Sequence, residues 1–405
     1  MTETYLAAGP ATPLTLPTPD ELLTRASKLR ELLAEESTGH DAHRRLSDRT
    51  VAAIGDAGLF RMYTPREFGG YEAVPSTSLA VICELARGCS STAWVTSVLN
   101  LGNYVAALFP QRARNEVWAE NPDARTALMI GDAPAQVERV AGGVIVNGKW
   151  PFASGSLHCD WVIARIPSGS EPESLGPHLV LMPRERLEVE DTWHVVGLRG
   201  TGSNTVVARE LFIPAHRIVS LTAVMSGTIA LPDDAGDLYR SSYWGVLSTG
   251  LIGALIGGVH RAYDYVLEKA PVRKVTSSNF ASQADSPAFH IDLAEASMML
   301  DTAYLHARHI ASTVDQAARS GESPDPVRNA RIRMHAAHVA QTCREAIDVL
   351  VTAHGTASFA EVNPLQLVWR DIHVGSRHAG FGMGMPQMVH GRALVGKNPA
   401  DISAR

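Results

Sequence analysis

Leu22, Ala26, Leu29 and Leu33 recur at helical spacing behind Thr18-Pro19-Asp20-Glu21. That tetrapeptide is a capping box with proline at the first helical position, so a helix starts there. Ser47-Asp48 opens a second helix carrying Val51, Ile54 and Leu59 and ending near Gly58. The chain then turns through Thr64-Pro65 and Phe68-Gly69-Gly70, as such residues favour. Pro75 begins a third helix with Leu79, Ile82 and Leu85, and Thr92 a fourth with Trp94, Val98, Leu101, Tyr104 and Leu108. The first ~120 residues therefore read as a helical block, within the usual boundary error.

From about Thr126 the apolar period shortens. Runs at 128–130, 144–146, 162–166, 178–182 and 205–212, punctuated by Gly and Pro, predict a small antiparallel β-domain. After Pro232 helices return, at 239–270, 291–320, 326–353 and 364 to about 378. The first of these carries Gly250, Gly253, Gly257 and Gly258, a face that lets another helix approach closely at some cost in propensity. The expected fold class is α+β, in three parts. These are an N-terminal helical domain at 18–124, a β-barrel-like domain at 125–222 and a C-terminal helical bundle at 235–396. Residues 1–17, rich in Ala, Thr and Pro, are expected to form a disordered tail.

Composition narrows the partners. The 405 residues are 45% hydrophobic and 19% charged, ample for a core in two or three domains. A net charge of -6 without a long basic run disfavours nucleic acid and anionic membranes. No uninterrupted apolar segment of spanning length is evident, so no membrane span is expected. Cys83, Cys89, Cys159 and Cys343 form no Cys-x-x-Cys pair, which fits a reducing cytoplasm and argues against a zinc knuckle. The 16 histidines show no His-Glu-x-x-His spacing, so no metal site is expected. A dinucleotide fingerprint for NAD(P)H is missing too, and no helix or Lys follows Gly200-Thr201-Gly202-Ser203 to make it a phosphate loop.

One stretch carries candidate chemistry. In Gly148 to Trp161, GKWPFASGSLHCDW, two tryptophans and a phenylalanine flank a small hydroxyl-rich turn at Ser154-Gly155-Ser156. Aromatic walls with a few placed donors suit a flat, amphipathic ligand. An ordinary hairpin with an aromatic core has the same composition.

The order of elements and five local motifs resemble the acyl-CoA dehydrogenase fold over nearly the whole chain, from Leu22 to about Gly396. The motifs are Gly58-Leu59 with Pro65 to Gly70, Ser91 to Trp94, Gly148 to Gly155, Gly197 to Ser203 followed by Phe212-Ile213-Pro214, and Arg370-Asp371 with His378. Within that fold the chain looks most like the group D flavin-dependent monooxygenases. Trp-x-Phe-x-Ser-Gly and Gly-Thr-Gly-Ser together are fairly specific, and either alone is weak.

The resemblance implies an oxygenase component that takes FADH2 or FMNH2 from a separate NAD(P)H:flavin reductase. It would react the flavin with O2 to a C4a-hydroperoxide and hydroxylate an aromatic substrate, as a cytoplasmic homotetramer. Ser154 matches the family position that bonds flavin N5, and His378 the histidine beside oxygen and substrate; these two are the expected catalytic residues. The expected cofactor contacts are Trp94, Met129, Ile130, Gly131, Phe152, Ala153, Ser154 and Trp193. Arg273, Lys274 and Ser277 match a phosphate clamp reaching in from a neighbouring subunit, and Thr356 and Ala357 a further contacting turn. The alternative on the same fold is an acyl-CoA dehydrogenase or oxidase, which needs a carboxylate base. Between His378 and Pro399 there is no Asp or Glu, and the long helix at 239–270 has only Asp264 and Glu268 near its end.

Two positions depart from phenol-hydroxylating relatives. Gly102 stands where they often carry a histidine, and Met129-Ile130-Gly131-Asp132 replaces a strand that usually offers a serine. The expectation is a larger or more apolar acceptor, indole-like or polycyclic.

Overall fold

Helix α5 (Ser90–Ala106) is buried on every side, and the other elements are arranged around it. The computed structural model describes residues 16–167, 177–232, 235–322, 325–382, 384–399 and 402. All but the last two residues of the expected tail at 1–17 lie outside them.

The N-terminal domain contains α1 (Pro19–Lys28), α2 (Arg30–His43), α3 (Asp48–Asp56), α4 (Pro75–Ala86), α5 and α6 (Gln111–Trp118). The capping box at Thr18 and Glu21 forms in both directions, at 2.7 and 3.2 Å. The single helix expected through Leu33 is interrupted at Leu29, which caps both α1 and α2. The fourth helix starts at Ser90, two residues before Thr92.

The middle domain has two four-stranded sheets. One runs β1 (Thr126–Met129), β4 (Trp161–Ile166), β5 (His178–Pro183), β8 (Ile218–Ser220). The other runs β2 (Ala135–Val140), β3 (Gly143–Trp150), β7 (Thr205–Pro214), β6 (Glu188–Glu190). The antiparallel pairing expected of this domain has one exception among the described strands. Strands β1 and β4 pair in parallel, Thr126 opposite Trp161, and the sheets are two separate ladders. The charged strands β2 and β6 and the three-residue β8 have little apolar alternation, which is why pattern alone missed them.

After α7 (Leu221–Ser226) and α8 (Asp237–Arg240) come the bundle helices α9 (Tyr243–Lys269), α10 (Pro287–Ser320), α11 (Pro326–His354) and α12 (Pro364–Gly375), then α13 (Met385–Leu394). The helix expected over 239–270 breaks at Ser241-Ser242, where Ser242 accepts from Gly245 N–H to cap a new start. The last bundle helix ends at Gly375, so His378 lies on the turn beyond it. Helix α9 has the length and hydropathy of a membrane span, contrary to the reading that no such segment exists, but 78% of that window is buried within the fold. It packs against α4, α5, α10, α11 and α12. At Gly257 an added Cβ would lie 2.0 Å from the carbonyl oxygen of Cys83, so this approach of α9 to α4 admits only glycine.

Burying α5 completely requires partners for its polar side chains. Ser97 donates to the carbonyl of Gly250 on α9 at 2.7 Å. Asn100 donates to Leu59 O at 2.9 Å and accepts from Tyr63 N–H at 3.2 Å. Asn103 donates to Phe60 O and Thr64 Oγ1 and accepts the first amide of β1, Thr126 N–H, at 3.0 Å. Replacing Asn103 by Leu strands those groups in the interior, and the expected loss is about 2–4 kcal/mol in urea unfolding. An unfolding midpoint equal to that of the parent would contradict this role for Asn103.

Candidate functional site

Successive turns of α5 meet the parts of the site. Trp94 faces His378, with ring centroids 5.5 Å apart at 69°. One turn on, Val95 and Leu99 support the hydroxyl-rich turn: a Cβ on Gly155 would be 3.0 Å from Leu99. At the far end, Gly102 lies against β1, whose continuation is Met129, Ile130 and Gly131. A Cβ at 102 would come 1.8 Å from Thr126 O. Glycine at 102 is thus also a packing requirement of the α5–β1 contact.

The turn after β3 is strapped to the Gly-Thr-Gly-Ser segment. Ala153 N–H donates to Asn204 O at 3.0 Å and Gly155 N–H to Thr201 O at 3.4 Å. The Oγ atoms of Ser154 and Ser203 are 2.5 Å apart. Phe152 has φ +59° and is 73% exposed. A bulky residue in the left-handed region is strained, and an exposed one has little burial to offset the strain. The edge of a buried Trp193 supports its ring, with centroids 5.9 Å apart at 81°. Trp193 is itself fixed by its indole N–H, 3.0 Å from Leu198 O. Phe152 is the exposed ring and Trp193 braces it.

Leu198, also left-handed at φ +52°, joins this segment to α12. Its N–H donates to Asp371 Oδ1 at 2.6 Å. Arg370 donates to Val196 O at 2.5 Å and grips both carboxylate oxygens of Asp41 on α2 at 3.0 and 3.1 Å. Burial raises the Asp371 pKa to about 7, helped by nearby Asp41 and opposed first by the Leu198 hydrogen bond. The Arg370-Asp371 pair therefore holds a loop in place.

His378 receives the N–H of Gly380 on Nδ1 at 3.2 Å, which leaves the proton of the neutral ring on Nε2. The ring is open to solvent in the single chain, with Trp94, Phe381 and the Gly380 backbone against it. The crowding by these groups pushes its pKa down from the ordinary imidazole range, so the neutral donor form is favoured at pH 7.

The remaining candidates form a second cluster. Arg273 Nη2 donates to His354 O at 2.8 Å, and this joins the loop of Lys274 and Ser277 to the turn of Thr356 and Ala357. Buried Arg273 Nε has no partner, while Lys274, Ser277, Thr356 and Ala357 are exposed. Ser277 is left-handed at φ +58°. An unsatisfied guanidinium nitrogen beside an ammonium and hydroxyls is a donor set suited to a phosphate. Among the described residues no hydrogen bond or ion pair joins this cluster to Ser154. Among the described residues no group of three His, Cys, Asp or Glu could hold a metal.

Of the first cluster's candidates, Met129 and Ala153 are buried, Ile130 and Ser154 half-buried, and Gly131 exposed. The sequence places the run at 200–203 as a bend near the flavin or a subunit contact, but gives the Thr201, Ser203 and Asn204 side chains no individual role. The signal was present as hydroxyl residues alternating with glycines in Gly-Thr-Gly-Ser, a pattern that places side chains close to a turn. As for the carboxylate of the alternative chemistry, Asp264 pairs with Arg87 at 2.6 Å and Glu268 with Lys269 at 2.7 Å.

Residues 20–118 match the family described as acyl-CoA dehydrogenase, N-terminal domain, and residues 250–382 its C-terminal domain. The oxygenase subunit HsaA of a flavin-dependent monooxygenase from Rhodococcus jostii (strain RHA1) is 32% identical, over 92% of this chain and 98% of its own length. The oxygenase component of an FADH(2)-dependent resorcinol hydroxylase from Rhizobium sp. (strain MTP-10005) is 29% identical, over 93% and 95%. The solved structure of XiaF from Streptomyces sp. in complex with FADH2 and glycerol superposes with a TM-score of 0.90 at 34% identity, over 94% and 96%.

The raised pKa of Asp371 makes a signed prediction. The unfolded chain releases this proton near pH 4 and the folded chain near pH 7. Between those values the folded state binds more protons, so this group's contribution to stability falls as pH rises. Asp371→Asn removes the term, so its melting temperature relative to the parent is expected to climb from pH 4.5 to 7.5. A difference independent of pH would contradict the burial argument.

Proposed function

The chain belongs to the acyl-CoA dehydrogenase family, among its flavin-dependent monooxygenase oxygenase components, and we propose that Ser154, His378 and the aromatic wall between them form its flavin and substrate site. As in those relatives, it works with reduced flavin, O2, a separate flavin reductase and an aromatic substrate. The observation that carries the site reading is the seating of Trp94–His378 and of the Ser154 turn on neighbouring turns of one buried helix.

The residues present fit a flavin. An exposed left-handed Phe152 offers a ring face, Ser154 a hydroxyl, and Arg273 a buried nitrogen without a partner. Bound reduced flavin supplies two electrons and the position at which O2 is activated. Ser154 with Phe152 and Ala153 would hold the ring edge, with Met129, Ile130 and Gly131 along the strand end. Trp94 forms an apolar wall that orients a flat acceptor and keeps water away. His378 donates from Nε2 to oxygen or to a substrate hydroxyl or ring nitrogen. With Nδ1 engaged by Gly380, its role is donor before base.

The proposed acceptor is an electron-rich aromatic of indole-like or polycyclic size. Where a serine is usual, Asp132 is exposed and turned to Arg165 at 2.7 Å, so it adds no hydroxyl to the wall.

The second cluster is proposed to complete the site of another copy, Arg273, Lys274 and Ser277 with Thr356 and Ala357 taking the phosphate end. Helix α10 supports a homotetramer. Ile291, Met298 and Leu305 are 67%, 63% and 68% exposed at seven-residue spacing, a seam suited to helix-on-helix packing.

Two experiments test this. With a flavin reductase, NADH and O2, His378→Ala is expected to bind reduced flavin as the parent does while product per O2 consumed falls about tenfold or more, the difference leaving as H2O2. Unchanged coupling would remove His378 from the chemistry. Met298→Glu combined with Leu305→Glu is expected to lower the solution mass from four chains and weaken flavin binding together. A dissociated variant with full flavin affinity would refute the shared site.

A further inference from the structure

The hydroxyls of Ser154, Ser203 and Thr201 form an unbroken row ending on a backbone carbonyl. Thr201 Oγ1 lies 2.7 Å from Leu198 O and 2.7 Å from Ser203 Oγ, which lies 2.5 Å from Ser154 Oγ. Each hydroxyl has a single proton, and a carbonyl only accepts. The Thr201 proton is therefore committed to Leu198 O. Thr201 oxygen must accept from Ser203, and Ser203 oxygen must then accept from Ser154. The Ser154 proton points inward, and what Ser154 presents outward is a lone pair.

The far end of the row is well anchored. Leu198 O also accepts the indole N–H of Trp193 at 3.0 Å, and Leu198 N–H is held by Asp371 at 2.6 Å. Thr201 and Ser203 are 1% and 3% exposed, so bulk water does not compete for their protons.

We propose that Thr201 and Ser203 are positioning residues that make Ser154 an acceptor, and so bias the site toward flavin in its reduced state. Reduced flavin carries a proton on N5 and can donate to Ser154. Oxidised flavin has only a lone pair there, which faces another lone pair. The sense of the contact is set at Leu198, three hydroxyls away from the cofactor. This inference rests on the reading of Ser154 as the flavin N5 contact.

The test is a binding ratio. The purified full-length protein is titrated with FAD and with FMN, oxidised in air and reduced under anaerobic conditions, and the ratio of oxidised to reduced Kd is compared between variants. The parent is expected to favour the reduced form about tenfold or more. Thr201→Val keeps the shape but frees Ser203 and then Ser154 to turn their protons outward, so the preference should fall about tenfold. Ser203→Ala should do the same, and Thr201→Ser, which keeps only the hydroxyl, should restore the parent ratio. Circular dichroism melts establish folding, and Ser203→Ala decides alone if Thr201→Val does not fold. A folded Thr201→Val or Ser203→Ala with the parent ratio, or a Thr201→Ser that fails to restore it, would overturn the relay. A parent that binds both redox states equally overturns the relay and leaves the flavin site standing. A parent that binds neither overturns both.

Discussion

Complete burial of a polar-bearing helix is the constraint on which the structure depends. Helix α5 has no solvent face across its 17 residues, so each of its sides must be matched by another element. Helix α9 takes one side through Ser97 and Gly250, the loop at 59–64 takes another through Asn100 and Asn103, and β1 takes the end at Gly102. The turns that carry Ser154 and His378 are held to this rigid piece at Leu99 and Trp94. Geometry good to a fraction of an ångström is needed for directed chemistry, and a packed interior supplies it more reliably than a loop does.

Strain accumulates where the helix stops and the site begins. Phe152 and Leu198 are both left-handed without being glycine, and Asp371 is a buried carboxyl that carries a backbone amide. Each feature costs stability, and each is held by several bonds to different elements. Leu198 alone is tied to α12 through Asp371 and to Trp193 and Thr201 through its carbonyl. The same groups that hold the strain also orient the Ser154 hydroxyl, so fold stability and site polarity share parts.

The first helices were legible because their apolar period and caps agree: Thr18 and Ser47 each cap the helix that follows. The short charged strands were not, since their side chains face water and their place is decided by neighbours already in position. Trp94, Ser154 and His378 could be picked out as a constellation only through resemblance, because their proximity is made by tertiary packing. The same limit hid the packing role of Gly102, which faces a carbonyl oxygen contributed from 24 residues further along the chain. It also hid Thr201 and Ser203, whose hydroxyls matter through partners on other segments.

On the proposed reading, reduced flavin lies with its N5 edge on Ser154 and its reacting side toward His378. A crystal structure of the protein grown anaerobically with reduced flavin tests it most directly. The account predicts flavin N5 about 3 Å from Ser154 Oγ, the ring beside Phe152, and the His378 imidazole across the substrate space from it. A flavin bound elsewhere, with the Ser154 turn and His378 facing only solvent, would contradict it.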